Sequence, residues 1–394
     1  MAHKPIIALL GGGQLGRMFL ENAMRYDITV HVLDPDPQCP CAHLATRFVQ
    51  GDFDDPDTVL RFAQHADVIG IEIEHVSVEA LEKLKAQGKT VIPDPSVLQT
   101  IKDKGLQKQF YLDHEIPTAD FALIHDKSQI AGHAQLLPAF LKARTGGYDG
   151  KGVMPINTLA DAAQAFEGPC VLERKAEIDL ELAVLVVRSA KGAVAVYDPV
   201  EMVFDPRFNL VDHLRAPARV APAIAGSAKS LALRVAEAFA MPGLYAVELF
   251  LTKDGELLVN ETAPRAHNSG HHTIEACASS QFDQLLRAYM GWPLGDATLR
   301  GHAAMINLVG EGGTGPVELS GLDDVLHVPG TFLHLYGKTE TRTGRKMGHV
   351  AVVASSHADL DQAIAVTKVH CRIRPASTGT SKTNGPASVA PHNS

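Results

Sequence analysis

Long hydrophobic runs are missing from this 394-residue chain. The longest, such as Pro5 to Leu10 and Val184 to Val187, fall far short of the roughly 18 residues that span a bilayer, so no transmembrane helix is expected. Only about five apolar residues precede Gly11, too few for the core of a secretory signal, and a cytoplasmic location is the resulting expectation. A basic excess is missing too. Thirty-six Lys and Arg against 45 Asp and Glu leave a net charge of −9, which disfavours a nucleic-acid duplex as main partner and leaves small phosphorylated ligands open. Cysteine is scarce: there are five, and the only close pair, Cys39 and Cys41, lacks the second pair that a zinc site would need. They read as reduced packing thiols. No repeat of about 20 to 50 residues is present.

What is present suits a soluble globular protein of two or three domains, with 45% hydrophobic and 21% charged residues. Apolar Pro5 to Leu10, helical spacing from Leu15 to Tyr26 and a β-branched run from Ile28 to Leu33 make a β-loop-α-β start. Val68 to Ile73 as strand, Val78 to Ala86 as helix and Val91 to Pro93 as strand continue an open parallel sheet over residues 1–95. A helix from Ser96 through Tyr111 opens an α+β domain over residues 96–293. Short strand candidates at Ala303 to Val309, Thr331 to Tyr336 and His349 to Val353, with a closing helix from Leu360 to Val366, suggest a small β-rich domain over 294–374. Residues 375–394 are Ser, Thr, Pro, Gly and Asn with almost no large apolar side chain, and are expected to be disordered.

Gly11, Gly13 and Gly16 fit G-x-G-x-x-G between strand and helix, and Asp34 ends the next strand where a ribose-binding acid would sit. Alone this motif points to a dinucleotide enzyme, but a tight βα turn needs glycines in any case. Four further features argue for an ATP-using ligase. First, a lysine-bearing strand runs into Lys142-Ala-Arg-Thr-Gly-Gly-Tyr-Asp-Gly-Lys-Gly152, whose glycines can turn backbone N–H groups onto phosphate oxygens. Second, Gly243 to Leu251 and Glu256 to Glu261 read as a hairpin turning at Asp254-Gly255. A two-residue turn there would put Lys253 opposite Glu256, Leu251 opposite Leu258 and Glu248 opposite Glu261. Two facing carboxylates repel unless a cation lies between them, and Mg²⁺ bridging to nucleotide phosphates is the natural candidate. Third, the strand Cys170-Val-Leu-Glu-Arg-Lys carries Glu173, with Glu181 eight residues on. Fourth, Asn260-Glu-Thr-Ala-Pro-Arg-Ala-His-Asn-Ser-Gly-His-His272 reads as a binding loop. Its histidines lack the cysteines or H-E-x-x-H helix of a zinc site.

GGGQLGRM, KARTGGYDGKG, VNETAPRAHNSGHHTIEACASSQFDQLLRA and GRKMGH, in that order from Gly11 to His349, together resemble the 5-(carboxyamino)imidazole ribonucleotide synthetase family of ATP-grasp ligases in purine biosynthesis. The resemblance implies α/β and α+β architecture: an ATP-grasp fold with an N-terminal Rossmann-like parallel-sheet domain, which helps bind the ribonucleotide, and a small C-terminal β-rich domain. It implies ATP and bicarbonate forming carboxyphosphate, whose CO₂ the amine of 5-aminoimidazole ribonucleotide captures, with ADP and phosphate released, Mg²⁺ as the metal, and a homodimer.

By the same resemblance, Lys104 and Lys142 serve ATP, and Gly147, Tyr148, Asp149, Gly150, Lys151, Gly152 and Val153 cover its phosphates. Glu173, Arg174, Lys175 and Ala176 form the adenine hinge, Glu181 takes the ribose, and Glu248 and Glu261 hold the metal beside Asn260. Asp149 and Lys346 are the implied catalytic pair. Gln14, Glu74, Arg265, His267, Asn268, Ser269, Lys338, Arg345 and Lys346 face the ribonucleotide. Lys104 stands where an arginine is common, keeping charge without the planar fork, and Val200 to Arg215 departs from the familiar form. The competing readings are another ATP-grasp ligase, such as a formate-dependent glycinamide ribonucleotide transformylase, an NAD-binding oxidoreductase, and a non-catalytic nucleotide-binding module.

Overall fold

Short apolar strands alternating with amphipathic helices build the N-terminal quarter as a parallel sheet covered on both faces. The computed structural model describes residues 4–146, 152–208 and 210–376. β1 (Ile6–Leu10), α1 (Gln14–Met24), β2 (Thr29–Asp34), β3 (Arg47–Gln50), α2 (Pro56–Ala63), β4 (Val68–Ile71), α3 (Val78–Ala86) and β5 (Thr90–Ile92) follow one another, and the strands pair in the order β3-β2-β1-β4-β5. Because side chains alternate along β1, Ile7 and Leu9 pack with Leu15 and Phe19 of α1, while Ala8 and Leu10 pack with Val59, Phe62 and Leu81 of α2 and α3.

The single helix expected over Ser96 to Tyr111 is two, α4 (Pro95–Lys102) and α5 (Lys104–Asp113). Asp103 separates them in an extended conformation, φ −115° and ψ 111°. Its carboxylate caps α5 by accepting from the N–H groups of Gly105 and Leu106 at 2.7 and 3.2 Å. An N-cap cannot be helical itself, which is why the periodicity runs on while the helix does not.

β6 (Phe121–Ile124), β7 (Ala139–Ala143), β8 (Val153–Ile156) and β9 (Cys170–Arg174) form an antiparallel sheet in the order β6-β9-β7-β8. β10 (Ile178–Arg188), β11 (Val194–Val196), β12 (Val200–Asp205), β13 (Leu210–Ala216), α6 (Pro222–Phe239), β14 (Gly243–Thr252), β15 (Leu257–Ala263), α7 (Thr273–Ala276) and α8 (Gln281–Met290) follow. The chain then runs through β16 (His302–Val309), β17 (Gly315–Ser320), α9 (Leu322–Leu326), β18 (Thr331–Leu335), β19 (Glu340–Thr341), β20 (Lys346–Ala354), α10 (His357–His370) and β21 (Arg372–Pro375). One large antiparallel sheet has the order β15-β14-β10-β12-β13-β16-β20-β18, with β11 also on β10. β10 lies near its middle and is buried on both faces: Leu182, Val184 and Val186 meet Val235 and Phe239 of α6, and Leu185 and Val187 meet Phe282 and Leu286 of α8.

One expectation changes, and the β-rich C-terminal segment gains detail. Its strands β16, β20 and β18 join the large sheet, since β13 pairs with β16 from His213↔Ile306 to Ala216↔Ala303. Only β19, β17 and β21 stand apart. The tail begins later than Pro375, because Val317 pairs with Pro375 and the Ala376 N–H donates to the Pro316 carbonyl at 2.8 Å. Residues 377–394 lie outside the described residues.

The β14–β15 hairpin is one residue longer at its turn than the Asp254-Gly255 reading requires. Leu251 pairs with Leu257, Phe250 with Leu258 and Leu249 with Val259, and the loop is Lys253-Asp254-Gly255. Gly255 has φ +85°, the left-handed third position of a three-residue turn. A Cβ there would meet no atom within 4 Å, so substitution strains only the backbone. Gly255→Ala is expected to cost about 1–2 kcal/mol, whereas Asp254→Ala, at a position without positive φ, should be nearly neutral. Urea unfolding midpoints of the two variants separate this turn from a two-residue one, which would penalise both.

Candidate active site

Beyond the turn, a bulge at Asn260 shifts the register, and Glu248 comes to face Glu261 directly, with Val247 facing Thr262. The expected carboxylate pair is therefore present, reached through a longer turn plus a bulge rather than by uniform pairing. Asn260, the extra residue, donates from Nδ2 to Glu248 Oε2 at 3.4 Å and accepts from Lys142 Nζ at 3.4 Å. Lys104 Nζ donates to Glu261 Oε2 at 2.8 Å. The two acids consequently differ. Lys104 holds Glu261 below the ordinary carboxyl range, while burial, then the charges of Glu261 and Glu181, push Glu248 up to about 8. Burial likewise raises Glu181 to about 7.

Among the described residues no group of three or more His, Cys, Asp or Glu side chains is placed to hold a metal. Two facing carboxylates with an amide oxygen beside them do fit Mg²⁺, which usually takes one or two carboxylates and completes its octahedron with phosphate oxygens and water. Their mutual repulsion is the observation that favours a cation here.

The wall formed by β7 and β9 carries the second charge cluster. Lys142 Nζ donates to Glu173 Oε1 at 2.7 Å, and Lys108 Nζ of α5 lies 2.5 Å from Glu173 Oε2. Glu173 is only 2% exposed. Burial alone would raise its carboxyl, but the two lysines hold it below its ordinary value. Lys108 escaped the sequence reading; its one signal is its place a helical turn after Lys104, and nothing local marks it as buried. Arg174 turns outward to Asp120 at 3.0 Å, and the Lys175 N–H donates to the Pro138 carbonyl at 2.9 Å, which leaves Ala176 half-buried at the end of this wall.

The glycine loop is tied at both ends. Arg144 forks onto Asp103 at 2.8 and 2.7 Å, its carbonyl accepts from the Lys104 N–H at 2.8 Å, Lys142 pairs with Val153, and the Ala143 N–H donates to the Gly152 carbonyl at 2.8 Å. Asp103 and Arg144 also went unpredicted. Gly147, Tyr148, Asp149, Gly150 and Lys151 lie outside the described residues.

The other side of the cleft gathers cations from the C-terminal strands. Lys338 Nζ donates to Gln14 Oε1 at 3.0 Å and to the Lys346 carbonyl at 2.7 Å. Burial, then Arg345, pulls Lys338 down to about 8. Arg345 donates to the Glu340 carbonyl at 2.7 Å, and Arg265 pairs with Glu74 at 2.9 Å. His267 connects this side to the carboxylates, with Nε2 3.7 Å from Glu248 Oε1 and Nδ1 2.9 Å from Ser269 Oγ. Burial first, then Arg265, lowers it to about 3, so its ring is neutral. Asn268 faces inward and exchanges amide hydrogen bonds with Asn307 of β16 at 3.0 and 2.9 Å. His271 contacts Gln281 at 3.1 Å. His267 and His271 thus face different partners, and among the described residues the loop histidines form no group that could hold a metal.

The dinucleotide signature dissolves in the same geometry. Asp34 turns back and accepts from the Gly12 N–H at 2.7 Å instead of reaching outward to a ribose. A Cβ on Gly13 would stand 2.5 Å from Glu72 Oε1, and Glu72 accepts from the Leu15 N–H at 3.1 Å. A protein carboxylate therefore takes the helix terminus that a pyrophosphate would need. Burial pushes Glu72 up to about 7. The glycines make room for Glu72, a residue the sequence reading passed over.

Three family models tile the chain: a ribonucleotide synthetase preATP-grasp domain over residues 5–102, an ATP-grasp domain over 109–282, and a phosphoribosylaminoimidazole carboxylase C-terminal domain over 303–363. An N5-carboxyaminoimidazole ribonucleotide synthase of Brucella melitensis is 37% identical over 352 residues, 87% of this chain and 95% of that protein. A chloroplastic phosphoribosylaminoimidazole carboxylase of Vigna aconitifolia is 37% identical over 374 residues, 92% of this chain and 67% of that longer protein. Among solved structures, the N5-carboxyaminoimidazole ribonucleotide synthetase of Thermotoga maritima superposes with a TM-score of 0.88 at 39% identity, covering 94% of this chain and 99% of that one. The Aspergillus clavatus synthase in complex with ADP and 5-aminoimidazole ribonucleotide does so at 0.84 and 32% identity, covering 93% and 98%. With identity at this level along nearly the full length of the Brucella synthase and of the Thermotoga structure, the chain belongs to the N5-carboxyaminoimidazole ribonucleotide synthetase family of ATP-grasp ligases.

Proposed function

We propose that this protein is an ATP-dependent carbon–nitrogen ligase that carboxylates 5-aminoimidazole ribonucleotide with bicarbonate to the N5-carbamate in purine biosynthesis, releasing ADP and phosphate. The facing Glu248 and Glu261, with Lys104 bonded to one of them and the Lys142–Glu173 pair reached through Asn260, carry the reading. Glu248, Glu261 and Asn260 would hold Mg²⁺, which when bound neutralises phosphate charge during phosphoryl transfer. Lys104 and Lys142 supply positive charge to the ATP phosphates without further reorganisation, since Glu261 and Glu173 already orient them. On the opposite side Gln14, Lys338 and Arg345 bind the ribonucleotide phosphate, with Arg265 and Glu74 beside them. Carboxyphosphate formed in the cleft would yield CO₂ and phosphate, and Asp149, acting with Lys346 as the family resemblance implies, would orient the amine and accept its proton. A closed cleft matters because both the mixed anhydride and the carbamate are labile in water. Five free buried thiols suit a reducing compartment; we extend the proposal to a cytoplasmic homodimer, the state the family resemblance implies.

The test is ADP release with each substrate omitted in turn. Release should require Mg²⁺ and be stimulated by the ribonucleotide with bicarbonate; equal stimulation by formate would favour a transformylase instead. Glu261→Gln should leave the fold intact and lower kcat on the order of 10²-fold, the scale of losing one preorganised electrostatic contact, while weakening Mg²⁺-dependent ATP binding. Wild-type turnover in that variant would remove the metal role. Asp149→Asn and Lys346→Met should each abolish most carboxylation, with the double variant little worse than either, since residues that act as a unit are non-additive. Small, additive losses in the same assay would mean that the two do not share a site.

A further inference from the structure

Four rings are stacked behind the site, and the mechanism above uses none of them. His334 of β18 and His349 of β20 are cross-strand partners with centroids 4.4 Å apart and planes 7° apart. His349 stacks on His271 at 4.8 Å, and His271 lies 6.1 Å from Phe282 of α8. His349 and His271 are 0% and 1% exposed. Each imidazole of the row is tied. His334 Nε2 meets Glu275 Oε1 of α7 at 2.7 Å, His349 Nδ1 meets the Tyr336 hydroxyl at 3.0 Å, and His271 Nδ1 meets Gln281 Nε2 at 3.1 Å. Gln281 also grips the backbone of His267, accepting from its N–H and donating to its carbonyl, each at 2.9 Å.

The two sides of this row carry the two halves of the cleft. β20 begins at Lys346, three residues before His349, and Tyr336 precedes Lys338 by two. His271 belongs to the loop that carries His267, 3.7 Å from Glu248. His349 also pairs with Asn307 on β16, the residue that exchanges amide bonds with Asn268 of the same loop. Burial drives both His271 and His349 far below their ordinary basicity, so the rings stack as neutral imidazoles without like-charge repulsion.

We propose that His334, His349 and His271 are positioning residues that set the strands bearing Lys338 and Lys346 against the loop bearing His267, fixing the ribonucleotide half of the cleft relative to the metal half. The inference rests on the functional reading above. The imidazole Nε2 of His349 is buried without a hydrogen-bond partner, so the ring's face, more than its polarity, is what the contact uses.

Steady-state kinetics with ATP and 5-aminoimidazole ribonucleotide varied separately test the idea. His349→Leu and His271→Leu should each raise KM for the ribonucleotide by about tenfold, since small misplacements of binding groups are costly, while KM for ATP stays within about twofold. His349→Phe, which keeps a flat ring while removing the orphaned Nε2 together with the Nδ1 contact to Tyr336, should restore most of the loss. The double Leu variant should be less impaired than the product of the singles, because contacting residues couple. His334→Gln, at the partly exposed end of the row, offers a milder change if the buried variants fold poorly, and should move the same KM in the same direction. Equal shifts in both KM values, or no recovery in His349→Phe, would overturn the positioning role. A wild-type enzyme indifferent to the ribonucleotide would overturn the functional reading and this inference with it, whereas a ribonucleotide-dependent wild type with unchanged variants would overturn this inference alone.

Discussion

Two carboxylates opposite each other on a mostly buried hairpin create a repulsion that the rest of the cleft is arranged around. Glu248 and Glu261 would be costly neighbours in any protein, and here the cost is shared unequally. Lys104 keeps Glu261 charged, while burial and that charge leave Glu248 inclined to keep its proton. The same residues would suit a cation, the role proposed for them. Asn260, placed by the bulge, links the pair to Lys142, and Lys142 links it to Glu173 and Lys108. One hairpin irregularity thus joins the carboxylate pair to the charged wall of β7 and β9 through four side chains.

The continuous sheet ties the C-terminal strands to the β14–β15 hairpin through unbroken backbone pairing. Because β13 hydrogen-bonds to β16, the C-terminal strands are held by backbone ladder bonds instead of by a mobile domain contact. Lys338 and Lys346 are therefore fixed relative to β14 and β15 through strands and the packed loop 267–272. The N-terminal sheet is joined differently, by side chains: Tyr26 donates to Asp283 at 2.6 Å, Phe19 and Tyr289 meet edge to face at 5.5 Å, and Gly70 is pressed against the Tyr289 ring, where a Cβ would stand 2.4 Å from its oxygen. α8 is the element shared by both arrangements. It packs against β10 on one side and against α1 and β4 on the other, and Gln14 at the start of α1 accepts directly from Lys338 just beyond β18, so α1 is registered to the large sheet both through that helix and by a side-chain hydrogen bond.

Alternation and helical spacing determined most of the elements: α3 falls where its pattern predicts, β1, β2 and the first βα turn follow from their apolar runs, and the β14–β15 hairpin follows from its turn signal, although Glu248 meets Glu261 only because the bulge offsets the longer turn. The family was legible because its loops carry unusual residue strings, and a string needs no three-dimensional context to be recognised. Local pattern could not supply the break at Asp103, the extra turn residue and compensating bulge around Asn260, or the junction of β13 with β16. Each depends on which distant backbone group completes a hydrogen bond. Nor could it assign environments. Asp34 reads as a ribose acid until the Gly12 N–H claims it, Glu72 is an ordinary strand-end acid until the glycines fold around it, and Lys108 is a surface lysine by spacing until Glu173 draws it inside. The imidazole row joins histidines separated by up to 78 positions and has no sequence signature. Sequence fixes what each side chain can do, but its charge state and partners depend on burial and neighbours, and those are set only when the sheets close.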